Sequence, residues 1–307
     1  MFAYAVRRVA VAIPTLLVVI TIAFFMMRVA PGGPFDREKQ LPPEIEANIL
    51  KAYNLDKPLH QQYFQYLTNV LQGDFGPSYK YLDFTVNDLI AAGFPVSFRL
   101  GLSAILLAVL IGVLTGTVAA LNQNSKFYYM VMGAAMTGIA IPNFVMAPLL
   151  SLIFGVYLSW LPVAGWGGGA WQNMVMPVIT LALPQIAYIS RLTRGSMVET
   201  MHSNHIRTAR AKGLAEKIVV VRHALKGGLL PVMSYLGPAT AQIITGSVVI
   251  ESIFDVPGIG RYFVTGALNR DYPVVMGVVI FFAVLIITLN LIVDLLYGFL
   301  DPRVKVE

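Results

Sequence analysis

Sixty-four consecutive residues, 127 to 190, carry no Asp, Glu, Lys or Arg. A soluble fold cannot place such a run, because its surface positions demand charge at ordinary intervals. Four shorter charge-free intervals accompany it: 19 residues after Arg8, 26 after Arg99, 24 after Lys226 and 22 after Asp271. A helix rising 1.5 Å per residue crosses a hydrocarbon layer of about 30 Å in about 20 residues. Each shorter interval therefore fits one crossing. The long one fits two, divided between Trp160 and Trp171, where Gly165, Gly167, Gly168 and Gly169 interrupt helix. The pattern predicts an all-α integral membrane protein with six transmembrane helices, near 9–28, 98–121, 129–158, 173–192, 229–251 and 275–298.

Composition agrees. Charged residues make up 12% of the chain and hydrophobic ones 57%, against about 25% charged in soluble domains. A disordered chain and a soluble two-domain enzyme are both excluded. There is no cysteine, which removes disulfides, zinc–thiolate sites and a Cys nucleophile. The basic start Arg7-Arg8 suits a signal peptide. The apolar stretch after it is long, however, and Met26-Met27-Arg28 offers no small-residue cleavage site, so a retained anchor is expected.

Lys and Arg bias sets the orientation. With six crossings, the side holding both termini and the segments 122–128 and 193–228 has 13 basic and four acidic residues, against nine and eleven on the other side. Both termini are expected to be cytoplasmic. Residues 1–28 then form an N-terminal membrane helix, 29–97 an external helical subdomain, and 98–305 a five-helix core with a cytoplasmic loop at 193–228. Within the external segment, Pro42-Pro43-Glu44 is a helix-start signal, with Ile45, Ile49 and Leu50 on one stripe. Asp56 and Pro58 give a second start, Tyr63, Leu67, Val70 and Leu71 form its face, and Gly73 ends it.

Catalytic patterns are missing. The sequence has no Gly-Lys dipeptide for a phosphate-cradling loop, no G-x-S-x-G and no H-E-x-x-H. His202 and His205 share a helical spacing, but a solvated helix explains them better than a metal site. Trp160, Trp166 and Trp171 read as an interfacial aromatic belt. Asp294, one turn after Asn290, stands inside the last span. One isolated carboxylate makes a poor proton relay, so a packing or capping contact is expected. Prolines interrupt several spans, and Gly112 and Gly116 form a G-x-x-x-G pair suited to close helix contact.

The positive charge has one address. Residues 191–226 carry eight basic and two acidic residues, a surplus equal to the whole net charge of +6. The charge therefore marks a cytoplasmic loop and not a nucleic-acid surface. Within it, Ser203 or Asn204 can cap a short helix, 206–212. Gly213 stops that helix, and a helical run resumes from Glu216 to Leu225.

The stretch Arg207-Thr208-Ala209-Arg210-Ala211-Lys212-Gly213-Leu214 resembles the EAA-type loop of ABC importer membrane subunits, in its peptide/nickel permease form. Arg207 stands where the generic pattern has Glu, and Leu225-Lys226 stands where it has Leu-Pro. Further stretches agree in order over residues 1–305: Ala30-Pro31-Gly32-Gly33-Pro34, Gly73-Asp74-Phe75-Gly76-Pro77-Ser78, Val256-Pro257-Gly258-Ile259-Gly260-Arg261, Asn269-Arg270-Asp271-Tyr272-Pro273, Asp294-x-x-Tyr297 and Asp301-Pro302-Arg303. The resemblance implies a type I ABC importer permease fold in a bacterial inner membrane. It implies oligopeptide uptake with a homologous second permease subunit, two ATP-binding subunits and an external peptide-binding protein. ATP and Mg would be bound by those partners, with no cofactor and no catalysis in this chain. Arg207 to Leu214 would couple to the ATPases, with Arg207, Arg210 and Lys212 pairing to acidic residues and the small Ala209 and Ala211 allowing close docking. Pro257, Gly258, Gly260, Asn290 and Asp294 are structural or gating candidates. A stand-alone ion-coupled secondary transporter is the competing reading.

Overall fold

A computed structural model describes residues 2–29, 55–81, 83–123 and 125–300. The helix-start signal at Pro42-Pro43-Glu44, the stretch from Ala30 to Pro34 and the terminal Asp301-Pro302-Arg303 lie outside the described residues. Helix α1 (Phe2–Val29) is uncharged between Arg8 and Arg28. Its Ile20 and Phe24 are buried, whereas Val11, Leu17, Val18, Ile22 and Met26 face outward. Helix α2 (Leu59–Leu71) begins after Pro58, as the sequence predicts, and Gly73 leaves it with φ of +79°. It docks on α1 through Tyr63, whose hydroxyl lies 2.7 Å from Thr21 Oγ1 and whose ring meets Phe24 edge-on.

Helix α3 (Val86–Leu121) starts well before residue 98. Thr85 and Asp88 form a reciprocal capping box that fixes the early start: the Asp88 amide donates to Thr85 Oγ1 at 3.2 Å, and the Thr85 amide donates to Asp88 Oδ2 at 2.9 Å. Arg99 does not end the helix, because its guanidinium lies over the Trp166 ring, 5.8 Å from the centroid. The 36 residues make α3 about 54 Å long, more than a bilayer crossing needs, and its backbone runs unbroken past residue 98. Trp166 is correspondingly half-buried and packs against the core, while Trp160 and Trp171 are exposed as an aromatic belt requires.

The stretch predicted as a third span is divided. Helix α4 (Lys126–Ala140) stops before Ile141-Pro142, and α5 (Asn143–Leu150) starts anew and widens into a π-helical stretch over Ser151–Tyr157. Pro142 cannot donate the amide that would join the pieces. Gly165, Gly167, Gly168 and Gly169 all have positive φ and form the turn that follows. Helix α6 (Trp171–Met201) then runs through Arg191 and past residue 192, and carries Arg194 and Glu199 on its extension.

After α7 (Asn204–Ala211), the pieces Glu216–Ile218, Val219–Ala224 and Leu225–Gly228 follow as α8 (216–228). The predicted fifth span is α9 (Leu230–Gly246) followed by α10 (Val248–Ile253), with the break at Ser247. Helices α11 (Ile259–Leu268) and α12 (Tyr272–Leu300) complete the chain. Among the described residues the only β-type pairing is an isolated bridge between Pro77 and Thr85. Four helices there are long and apolar enough to cross a membrane: α1, α3, α6 and α12.

The core lies where α3 meets α6. Leu100, Ala104 and Ala108 of α3 pack with Met176, Leu181, Ala182 and Ile189 of α6, and with Val232, Ala239 and Ile243 of α9. The G-x-x-x-G pair makes this approach possible. A Cβ on Gly112 would lie 2.8 Å from Ile189 Cβ, and one on Gly116 would lie 2.5 Å from the Ser190 carbonyl oxygen. Thr115 between them donates to Ser190 Oγ at 3.1 Å. The opposite face of α3 exposes Leu102, Leu106, Leu110 and Leu114, a stripe with the spacing of a lipid-facing surface. Replacing Gly116 by Leu is expected to lower stability by ~1–3 kcal/mol through overpacking, read as a lower melting temperature in detergent. Gly133→Leu on α4, where a Cβ meets nothing within 4 Å, serves as the control, and equal melting of both variants would contradict this account of the core.

Candidate functional site

Helix α7 sits at the end of the long α6 lever, linked by His202 and Ser203. Ser203 takes an extended backbone at the N-cap position, but its hydroxyl donates back to the Thr200 carbonyl at 2.6 Å and does not cap α7. His202 Nδ1 lies 2.7 Å from the Val198 carbonyl oxygen, and His205 Nδ1 lies 2.9 Å from Ser203 Oγ. Both rings thus have local partners. Among the described residues no three His, Asp or Glu side chains converge as a metal site would require.

Helix α7 is amphipathic in a simple way. Ile206 and Ala209, three residues apart, are buried against Ala120 of α3, Met197 of α6, and Val219, Val220 and Ala224 of α8. Arg207, Thr208, Arg210, Ala211, Lys212, Gly213 and Leu214 are exposed. The eight expected coupling residues therefore separate into seven outward-facing positions and one anchor. Ala209 points inward, because the helix must bury one stripe to be held at all. It supplies close packing within this chain.

The cations also divide. Arg210 donates from Nη2 to Glu216 Oε1 at 2.6 Å and from Nε to Glu216 Oε2 at 3.1 Å. This forked bond clips α7 to α8 across the turn at Gly213, whose φ is +76°. The hydrogen bond from Arg210 holds the Glu216 carboxyl below its ordinary range. Arg210 is thus already paired inside the chain. Arg207 and Lys212 have no ion pair among the described residues and remain outward-facing.

The motif from Val256 to Arg261 closes on a buried carboxylate that the charge pattern treated only as the limit of a span. Glu251 is 0% exposed. It accepts from Ser247 Oγ at 2.5 Å and from the Gly260 amide at 2.8 Å. The Ile259 amide donates to Ser97 Oγ of α3 at 2.9 Å. Gly258 and Gly260 are required by space: a Cβ at Gly258 would overlap the Glu251 carboxylate, and one at Gly260 would overlap Val248. The knot joins α3, α10 and α11. The sequence signal for it was the pair of glycines seven and nine residues after Glu251.

A second buried carboxylate joins two motifs that stand far apart in sequence. Asp271 is 0% exposed and precedes α12. It accepts from Ser78 Oγ at 2.5 Å and from the amides of Tyr79 and Lys80 at 3.1 and 3.2 Å. The loop before α3 is held further by Asn87, which accepts from the Phe75 amide at 3.0 Å and donates to the Gly73 carbonyl at 2.6 Å. Asn290 of α12 borders a cavity of about 180 Å³ with Arg8, Val11 and Thr15 of α1, and its Oδ1 is buried with no hydrogen-bond partner among the described residues. Asp294 lies on α12, and its side chain and that of Tyr297 are outside the described residues.

Replacing Glu251 by Ala is expected to cost about 1–3 kcal/mol for each buried donor left unsatisfied, seen as a lower melting temperature. Glu251→Gln keeps the shape and at least one acceptor and is expected to lose less. A melting temperature for Glu251→Ala equal to that of the unaltered protein would refute the structural role given to the knot.

Comparison with known proteins places this geometry. The family model described as binding-protein-dependent transport system inner membrane component matches residues 90–306, and its N-terminal counterpart matches residues 1–101. The oligopeptide transport system permease protein OppB of Salmonella typhimurium is 57% identical over 99% of this chain and 100% of its own length. OppB of Haemophilus influenzae is 52% identical with the same coverage. The dipeptide transport system permease protein DppB of Bacillus subtilis is 45% identical over 99% of this chain and 98% of its own. A crystal structure of an amino acid ABC transporter with histidines shares the fold, with a TM-score of 0.50 at 17% identity over 71% of this chain and 95% of that one. The chain belongs to the family of inner-membrane components of binding-protein-dependent transport systems, as a permease subunit.

Proposed function

We propose that this chain forms half of the translocation pathway of an ATP-driven ABC importer of oligopeptides in a bacterial inner membrane. The observation that carries the proposal is α7: a short exposed helix, anchored by Ile206 and Ala209, held between the long α6 and the α8–α9 run. Full-length identity to OppB proteins supports the peptide cargo. In this reading the chain has six crossings, with α4–α5 and α9–α10 serving as broken spans, and both termini are cytoplasmic. A homologous permease subunit faces it, two ATP-binding subunits hold ATP and Mg, and an external peptide-binding protein delivers cargo. The chain itself binds no cofactor and performs no hydrolysis. The region from residue 29 to the start of α3 forms the external side.

Coupling follows from mechanics. Closure of the ATPase pair displaces α7. Because α7 is packed on α3, α6 and α8 through one small core, the displacement passes to the helices that flank it. ATP drives the change only if α7 is held differently in the two states. The cations Arg207 and Lys212 and the open surface at Gly213 are the features that such a partner would grip. A stand-alone ion-coupled transporter would leave this helix without a task.

Reversing both charges, Arg207→Glu with Lys212→Glu, is expected to lower uptake in proteoliposomes containing all subunits by about tenfold or more, since ~1.4 kcal/mol of lost coupling is a factor of ten. Insertion and melting temperature should stay unchanged, as both side chains are exposed. Normal peptide-stimulated ATP hydrolysis in this variant would overturn the coupling role. Gradient-driven uptake by this chain alone would replace the importer reading altogether.

A further inference from the structure

The exposed surfaces of the membrane helices are not alike. Those of α1 and α3 are lined by large apolar side chains, including Leu102, Leu106, Leu110 and Leu114 on α3. The exposed stripe of α9 is Pro231, Ser234, Pro238 and Gln242, with no large apolar residue until Val249 on α10. Its spacing is that of a single helical face, so the difference belongs to one surface. The Gln242 side chain makes no hydrogen bond among the described residues. An amide left without a partner against hydrocarbon is costly.

The neighbouring face of α6 has the same character. Within its apolar part, residues 173–187 are buried or half-buried, and the next outward positions are Tyr188 and Arg191. The Tyr188 ring stacks on Tyr235 of α9, with centroids 4.8 Å apart and planes 14° from parallel. The Arg191 guanidinium lies 4.8 Å from the Tyr188 ring centroid. The Tyr235 hydroxyl donates to Gln185 Oε1 at 2.6 Å, which fixes the ring. The two helices carrying this stack are those that continue into α7 on one side and α8 on the other.

We infer that the face formed by Tyr188, Arg191, Ser234, Tyr235 and Gln242 lines the water-filled passage and touches the peptide cargo as it moves through. This rests on the importer reading and deepens it by naming the surface. The chemistry suits a cargo of varied sequence. Stacked rings accept apolar side chains without demanding a hydrogen-bond pattern. Gln242 offers both a donor and an acceptor to a peptide backbone. Arg191 offers positive charge to a carboxylate. A face turned to lipid would need none of these, and would carry the leucines of α3 instead.

The absence of cysteine in the chain makes the test direct. Ser234→Cys, Gln242→Cys, Leu106→Cys and Leu110→Cys are each assembled with the partner subunits in proteoliposomes. They are treated with a charged methanethiosulfonate reagent, without nucleotide and with ATP, and the unaltered complex sets the background. Positions 234 and 242 are expected to label in at least one state, at least about tenfold faster than 106 and 110, because the reagent attacks a water-exposed thiolate. Turnover with peptide-loaded binding protein is expected to slow labelling at 242. Labelling at 234 and 242 as slow as at 106 and 110 in both states would overturn the inference and show a dry face. Fast labelling that turnover leaves unchanged would overturn the contact with cargo. Uptake by the same variants is measured in parallel, so retained uptake with failed labelling rejects this surface without rejecting the importer.

Discussion

The direct contact of α3 with α6 is the interaction on which the rest of the molecule depends. In a membrane, burying apolar side chains between helices gains little, since lipid is equally apolar, and close packing has to supply the attraction. Gly112 and Gly116 remove the atoms that would hold the two backbones apart, so that Ile189, Ser190 and Thr193 sit directly on the α3 surface. Because α6 continues without a break to Met201 and then to α7, this contact also fixes the base from which α7 projects. Ala120, at the other end of the same α3 face, lies under α7 itself. One seam thus connects the α3–α6 core to α7.

Two buried carboxylates tie the remaining elements to that seam. Glu251 gathers α10 and the α11 start toward Ser97 of α3, and Asp271 gathers the loop at Ser78 to Lys80 toward α12. Each carboxylate has several donors, which is the condition under which a buried polar group specifies a single arrangement. The glycines of the Val256–Arg261 motif follow from the same requirement: a backbone amide can reach a buried carboxylate only where no side chain intervenes. The ties sit on the side of the molecule that the charge bias assigns to the exterior. Helix α7 is held instead by a small apolar core and one exposed forked ion pair. Such a pair is weak in water.

Much of this was legible along the chain. The charge-free intervals located the apolar helices. Pro58 and Gly73 bounded α2, and Gly213 marked the end of α7. The G-x-x-x-G pair pointed to close packing, and the motif order pointed to the family. Helix ends were less legible where a charge had been read as a stop. Arg99 and Arg191 both lie inside continuous helices, because each guanidinium has an aromatic ring beside it, Trp166 in one case and Tyr188 in the other. No local pattern announces a ring brought in from a distant segment. The broken α4–α5 span, by contrast, carried its own mark in Pro142.

The sequence by itself determined that this chain is helical, apolar and bound to a membrane, and that its net positive charge resides in one segment. Those properties depend on composition and spacing, which are local. Only the tertiary structure decided that Ala209 faces inward while Arg207 and Lys212 face outward, that Arg210 is already paired with Glu216, and that Glu251 and Asp271 are buried ties and not surface charges. It also separated the polar outer stripe of α9 from the leucine stripe of α3. Burial and pairing depend on which segments meet across the fold, and a spacing rule within one helix contains no information about its neighbours.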